Sequence, residues 1–322
     1  MDEARLLAAR RLNFGLALGE EGDWPAAAEA IEAACALAPD YAAARFAHAE
    51  ALEKLGRGAE AVAAFRRYLA LEPDDRMGAA ARLALLEAAP TPERLPPAYV
   101  AALFDDYAPR FESALRDHLD YRAPELIADA LTHWLDRLPA AGRAKALDLG
   151  CGTGLVGRAV RLAAGTIDGI DLSERMLKRA AASGLYRTLI AGDIAARPLP
   201  APDAPYDLVV AGDALNYLGA LDGVFAGVAE ATAPGALFLF TLEAGERPGY
   251  ALHAGCRYAH REPEVRAWLQ SALFETLEVR RAPLRRETGR WVQGLVIAAR
   301  RIAADRRPTP GDALPPRRQP GA

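Results

Sequence analysis

Lysine, cysteine and long apolar runs are all scarce in this chain of 322 residues. The three cysteines, Cys35, Cys151 and Cys256, stand far apart with no CxxC or Cys/His spacing, which argues against a disulfide framework and against a zinc site. No stretch approaches the roughly 18 apolar residues that a membrane span needs, and the start lacks a basic segment followed by an apolar core. We therefore expect a cytoplasmic protein with free thiols, no metal and no membrane contact.

Charge is also modest, since the formal net charge is -4. A value this small makes nucleic acid an improbable partner, because nucleic-acid binding needs a clear basic excess. The apolar content of 52% is ample for a buried core in each of two domains, which is the organisation that the length favours.

The first 75 residues are rich in alanine and repeat at an offset of 34 residues. In this register Gly15 pairs with Ala49, Ile31 with Phe65, and a proline ends each unit. The period and the pattern resemble tetratricopeptide repeats, in which small residues let two antiparallel helices approach. The resemblance implies two helical hairpins over residues 1–90, capped by a helix near residues 76–88. They would either hold a partner protein, or pack on the rest of the chain, or mediate self-association.

Four prolines between residues 90 and 97 mark a linker, which we place at residues 91–99. Short β-rich runs then alternate with helical stretches over residues 100–303, the signature of an α/β fold with a mostly parallel sheet. Residues 304–322 are rich in Pro, Arg and Gly and are expected to be disordered. The predicted strands are residues 145–149, 166–170, 186–190, 207–210, 236–242, 276–281 and 291–298, the last two forming an antiparallel hairpin.

The strongest local signal is the string Asp-Leu-Gly-Cys-Gly-Thr-Gly at residues 148–154, between a predicted strand and a helix. Glycine at positions 150, 152 and 154 allows positive φ and a close approach of a ligand to the backbone, and the helix that follows begins with free N–H groups. The segment predicts a cradle for a nucleotide-like ligand. The spacing also satisfies the dinucleotide pattern GxGxxG, with Asp171 placed to hold a ribose, so NAD(P) is an alternative ligand.

The whole string resembles the first motif of class I S-adenosylmethionine-dependent methyltransferases, and residues 100–300 carry later motifs of that family in order. The resemblance implies a Rossmann-like seven-stranded sheet in the order 3-2-1-4-5-7-6 with strand 7 antiparallel. It also implies S-adenosylmethionine as the cofactor. Asp148 and the glycine turn would line the methionine end, and Asp171 would accept hydrogen bonds from both ribose hydroxyls.

Further cofactor contacts are carried over by position. Asp193 would take the adenine amino group, Tyr107 would cap the cofactor and Arg122 would pair with its carboxylate. Tyr107 and Arg122 fit equally well as a core aromatic residue and a surface arginine of an ordinary amphipathic helix. The complete predicted cofactor set is Tyr107, Arg122, Asp148, Gly150, Cys151, Gly152, Gly154, Asp171, Leu172, Met176, Asp193, Ile194, Ala211 and Asp213.

Methyl transfer needs alignment and exclusion of water more than an elaborate set of catalytic groups. If the acceptor needs a base, His253, Tyr258 and His260 are candidates, in an insertion between strands five and six. For each of these residues, the interpretation as part of a structural hairpin whose polar side chains satisfy one another is favoured over the catalytic one. The segment after the fourth strand lacks the Asn/Asp-Pro-Pro-aromatic motif and a nucleophilic cysteine, which disfavours methylation of nucleobases. We expect a small-molecule acceptor. A repeat-recruited protein acceptor and a non-catalytic cofactor-binding regulator remain alternatives.

Overall fold

The computed structural model describes residues 3–111, 120–139, 141–200 and 205–303. The expected disordered tail, 304–322, lies outside these residues. None of the helices in the described ranges is long and apolar enough to cross a bilayer.

Five helices form the N-terminal region, each packed on the next along the chain. Gly15 shows why small residues recur there, because a Cβ at this position would lie 2.4 Å from Ile31 Cγ1 on the neighbouring helix. The helix predicted over residues 76–88 is present but shorter, and its end buries Ala79 and Leu83 against the preceding hairpin. The helices are α1 (Glu3–Glu20), α2 (Trp24–Leu37), α3 (Ala42–Lys54), α4 (Gly58–Leu71) and α5 (Ala79–Leu85).

A nine-stranded sheet forms the centre of the rest of the described chain. Its main path is β3-β2-β1-β4-β5-β9-β8, in which β9 is antiparallel to both β5 and β8. This is the expected order 3-2-1-4-5-7-6, in which β8 corresponds to strand 6 and β9 to the antiparallel strand 7. The strands are β1 (Ala144–Leu149), β2 (Ala164–Asp171), β3 (Thr188–Ala191), β4 (Tyr206–Ala211), β5 (Thr232–Ala244), β6 (Tyr250–His253), β7 (Arg257–His260), β8 (Phe274–Glu287) and β9 (Arg290–Arg301).

Successive strand residues point to opposite sides of this sheet, so each strand presents apolar side chains to both faces. Helices cover both faces and bury these side chains. Along β5, Phe238 and Phe240 enter one core and Leu237 and Leu239 enter the other. The predicted strands β5, β8 and β9 are each longer than expected. The helices are α6 (Pro97–Tyr107), α7 (Ala123–His133), α8 (Leu155–Val160), α9 (Glu174–Ala182), α10 (Asp222–Glu230) and α11 (Glu262–Ser271).

Two hairpins complete the sheet. The predicted turn between β8 and β9 is confirmed, with Thr288 and Gly289 both at positive φ as a two-residue turn requires. The second hairpin, β6–β7, joins the sheet where β7 pairs in parallel with the end of β5. It is the predicted insertion that carries His253, Tyr258 and His260.

The predicted linker is a strap, residues 92–97, which is fixed to the loop after β4. Glu93 O accepts hydrogen bonds from Gly219 N and Ala220 N at 2.8 and 3.0 Å, and Leu95 N donates to Tyr217 O. Tyr258 adds its hydroxyl, which donates to Pro92 O at 2.7 Å. The linker thus joins the wall of the sheet domain instead of spanning open solvent.

Candidate active site

A cavity of about 320 Å³ lies at the carboxyl ends of β1, β2 and β4, the edge where open α/β sheets bind ligands. The glycine turn after β1 forms its floor. Gly150 has φ +66°, and a Cβ there would lie 2.4 Å from the Ala214 side chain. Gly152 has φ +54°, and a Cβ there would meet only Phe111 Cε1, at 3.8 Å. The turn therefore leaves room for a ligand directly against the backbone.

Asp171, the last residue of β2, fixes the side of this turn. Its Oδ2 accepts a hydrogen bond from Gly152 N at 2.8 Å, and its Oδ1 accepts one from Ser173 N at 2.8 Å. The side chain is 9% exposed, and burial raises its pKa above the usual aspartate range despite these two backbone donors. Each carboxylate oxygen keeps a second lone pair, so the group can still accept hydrogen bonds from a ligand in the cavity.

Asp193 lies after β3 at the same edge. Its Oδ1 accepts a hydrogen bond from Ala195 N at 2.8 Å, and its Oδ2 pairs with Arg94 Nη2 at 2.6 Å. Arg94 belongs to the strap, so the linker reaches the group predicted to hold the adenine. Nothing in the sequence around position 94 indicated this role.

Asp148 supports the turn from beneath and does not line the cavity. Its Oδ2 accepts a hydrogen bond from the Tyr186 hydroxyl at 2.7 Å, while Oδ1 has no partner in the described residues. Burial raises the pKa of this carboxyl to about 7. Tyr186 was missed as a site residue because it was predicted to begin β3, which starts two residues later.

The other predicted cofactor residues divide into two groups. Those that line the cavity are Tyr107, Gly150, Gly152, Asp171, Leu172, Asp193, Ile194 and Asp213. Those that do not line it are Arg122, Asp148, Cys151, Gly154, Met176 and Ala211. Arg122 immediately precedes α7; its backbone N donates to Leu284 O, and the residue is exposed. Met176 and Ala211 are fully buried behind the turn.

Asp213 anchors a network of charged groups on the far side of the turn. It has φ +55°, which is unusual for a residue other than glycine. Thr241 Oγ1 accepts a hydrogen bond from the Asp213 backbone N–H and donates one to its Oδ1. Its Oδ2 pairs with Arg285 Nη1 at 2.8 Å. Arg285 is 3% exposed and also contacts Glu243 and Glu287, and Glu287 in turn binds Arg257. Ionic contacts thus run continuously from Asp213, in the loop after β4, to the β6–β7 hairpin.

The three predicted bases do not line the cavity. His260 is fully buried, and its Nε2 donates to Leu218 O and Gly219 O at 2.9 and 3.0 Å. Burial lowers its pKa to about 4, so the ring is neutral at pH 7. Tyr258 donates to the strap, as described above. His253 accepts from Gly255 N at Nδ1, which leaves Nε2 to donate to Glu243 at 2.7 Å. These positions favour the interpretation that the three side chains stabilise the hairpin, and a direct catalytic role stays a prediction.

Aromatic and aliphatic side chains form the remaining wall. Phe104 on α6 packs edge to face on Tyr217, with ring centroids 5.3 Å apart, and Tyr121 donates to Gly212 O at 3.4 Å. Further lining residues that sequence reasoning did not assign are Leu95, Pro97, Val100, Leu103, Phe111, Ala214, Leu218, Arg257 and Arg285. The described residues contain no cluster of three or more His, Cys, Asp or Glu side chains suited to a metal.

The strand order, the glycine turn and the acid at the end of β2 define a domain of the methyltransferase type. Residues 146–235 match a family described as a methyltransferase domain. The glycine turn fits S-adenosylmethionine, the cofactor expected from the sequence, because it leaves the backbone accessible beside a carboxylate.

Three curated proteins are similar to this chain over part of its length. Methyltransferase-like protein 27 of Homo sapiens is 39% identical over 35% of this chain and 45% of its own. Malonyl-[acyl-carrier protein] O-methyltransferase of Enterobacter lignolyticus is 32% identical over 46% of this chain and 54% of its own. Ubiquinone biosynthesis O-methyltransferase of Thiobacillus denitrificans is 34% identical over 34% of this chain and 48% of its own. The chain therefore spans about half the length of these relatives.

Proposed function

We propose that this chain transfers a methyl group from S-adenosylmethionine to an oxygen atom of a small-molecule acceptor. The observation that carries the proposal is Asp171, which is tied to Gly152 of the glycine turn and opens onto the cavity. A carboxylate at this place presents two adjacent acceptors to the two hydroxyls of a ribose. When bound, S-adenosylmethionine supplies an electrophilic methyl group.

The residues of the turn and of the strand ends have separate roles in this proposal. Gly150 and Gly152 let the backbone approach the ligand, Asp171 holds the ribose, and Ile194 covers the adenine. Asp193 takes the adenine amino group with the oxygen that it shares with Arg94. Asp148 and Tyr186 keep the turn in place from below. Asp148 therefore acts on ligand position and does not need to touch the ligand.

A small acceptor is supported by the shape and lining of the cavity. Helix α6 and the strap close one side with apolar groups such as Leu95, Val100 and Phe104, which exclude water from the site. Two of the similar proteins are named O-methyltransferases, which supports oxygen as the accepting atom. Alignment and desolvation by this wall are the contribution that we assign to the protein.

For α1 to α4 we infer a tetratricopeptide-type architecture, supported by the repeat offset and by the close packing at Gly15. Ala81 of α5 is buried in one cluster with Leu95, Tyr217 and Tyr258. This shared core favours a role for the helical region in holding the strap against the cavity. Among the described residues, no contact gives comparable support to the recruitment of a protein acceptor.

The test is calorimetric titration of the purified chain with S-adenosylmethionine, S-adenosylhomocysteine and NAD. We expect both adenosyl ligands to bind with micromolar affinity and NAD to show no heat of binding. Binding of NAD alone would replace the methyltransferase proposal with the dinucleotide alternative. An Asp171→Ala variant serves as the matched negative control, because it removes the proposed ribose acceptor.

A further inference from the structure

The wall of the cavity opposite the strand ends that carry Asp171 and Asp193 is not needed for the proposed cofactor contacts, and it is largely apolar with mainly hydrogen-bond donors. It comes from α6, the strap and Tyr217, and its charged groups are Arg257 and Arg285. The acids of the neighbouring network, Glu243 and Glu287, do not line the cavity. Asp213 does line it, but its oxygens already accept from Thr241, Asn216 and Arg285.

Arg285 uses most of its hydrogen-bond donors in this network. It donates to three carboxylates, those of Asp213, Glu243 and Glu287, and it is 3% exposed. A guanidinium has five N–H groups, and four of them are accounted for by these contacts. Arg285 therefore serves mainly to hold the acids together.

Arg257 differs from Arg285 because it makes fewer hydrogen bonds and is more exposed. Its Nε donates to the Tyr217 hydroxyl at 3.3 Å and its Nη1 donates to Glu287, a carboxylate that it shares with Arg285. Its Nη2 has no partner among the described residues, and its side chain is 25% exposed in the wall of the cavity. Three of its five N–H groups, two on Nη2 and one on Nη1, are thus left for a ligand.

A guanidinium can only donate hydrogen bonds, so a ligand that satisfies Nη2 must present an acceptor. A carboxylate suits this site best, since it is planar, carries a compensating charge and gives the stronger charge-assisted bonds. The body of the same ligand meets Phe104, Tyr217 and Leu95, which favour an apolar or aromatic group.

Resting on the proposed function, we infer that the acceptor is an amphipathic carboxylic acid whose carboxylate is anchored by Arg257. The anchor lies at the hairpin end of the ionic network that begins at Asp213, and the proposed cofactor contacts are made by other residues, Gly152 and Asp171. Arg257 thereby selects acids over neutral molecules of the same shape.

The test compares 3-phenylpropanoate with 3-phenylpropanamide, two probes that differ in charge and hardly in shape. Binding is measured by ligand-observed NMR titration of the full chain saturated with S-adenosylhomocysteine. We expect the acid to bind about tenfold more tightly than the amide, as one charge-assisted bond implies. Arg257→Gln should reduce this preference to less than about twofold, and Arg257→Lys should retain part of it. Arg266→Gln, which changes a surface arginine paired with Glu262, is the control and should leave the preference intact.

Equal binding of acid and amide to the unmodified chain would overturn the inference, as would an acid preference that survives Arg257→Gln. A loss of S-adenosylhomocysteine affinity of tenfold or more in Arg257→Gln would also overturn it, because Arg257 would then hold the cofactor's carboxylate. Failure of the unmodified chain to bind S-adenosylhomocysteine would instead overturn the proposed function. The two failures are therefore distinguishable in one set of titrations.

Discussion

Replacing Asp171 tests the cofactor site most directly, because this one carboxylate joins two structural contacts to the proposed ligand contact. Asp171→Asn keeps the shape but exchanges one acceptor oxygen for a donor amide. That amide must face either Gly152 N or Ser173 N, each now a hydrogen-bond donor at 2.8 Å. The loss of one charge-assisted bond lowers the free energy of unfolding by about 2 kcal/mol. Asp171→Ala removes both bonds and costs about 3 kcal/mol or more.

The expected effect on ligand affinity is about as large as the effect on folding. If both ribose hydroxyls donate to Asp171, their loss in Asp171→Ala removes about 3 kcal/mol of binding, which is a factor of about one hundred in Kd. Titration with S-adenosylhomocysteine measures this factor, and urea unfolding measures the stability. Glu174→Gln, an exposed acid in the first turn of α9, is the charge-matched control. Near-native affinity in a folded Asp171→Ala variant would refute the ribose assignment.

Three other predictions concern the turn, the ionic network and the buried histidine. Gly150→Ala forces a Cβ to within 2.4 Å of Ala214 at φ +66°, so calorimetry should show loss of S-adenosylhomocysteine binding, while Gly223→Ala, with open space around it, should bind normally. Arg285→Met leaves three carboxylates without their shared cation and should cost about 3–5 kcal/mol in urea unfolding, against less than about 0.5 kcal/mol for the exposed Arg281→Met. The pKa of His260 is about 4 in the folded chain, and its ordinary value is 6.5. As the pH falls from 6.5 to 4, His260 is therefore protonated in the unfolded chain but stays neutral in the folded chain. His260 should therefore cost about 3 kcal/mol of stability between about pH 6.5 and pH 4. The difference in unfolding free energy between the natural chain and His260→Gln, measured at about pH 7.5 and about pH 5, should shift in favour of the variant at the lower pH, and a constant difference would contradict the burial of a neutral ring.

Much of the fold could be predicted from the sequence because its signals are local. The alternation of β-rich and helical runs placed the strands of the main path, and Thr288-Gly289 marked the closing hairpin. The glycine turn and Asp171 were likewise readable, since both depend on residue types that few other conformations require. The predicted ends of the strands were less accurate, because cross-strand pairing extends β5, β8 and β9 beyond their apolar segments.

The far side of the site could not be predicted, because it is assembled from residues remote in sequence. Arg257 and Arg285 meet at Glu287 through the pairing of β5 with β7 and β9, and no spacing in the chain records that meeting. His260 was a reasonable candidate base by composition. Its orientation toward two backbone carbonyls depends on the loop after β4, which sequence alone does not position.

The strap belongs both to the connection from the helical region and to the wall of the cavity. Leu95 and Arg94 belong to the connection between the two regions, yet they form part of the wall and reach Asp193. Exchanging the helical region for that of another protein at residue 97 would therefore exchange part of the pocket as well. A chimera that preserves the pocket must place its junction before Pro92, whose carbonyl is the first point at which the strap is held.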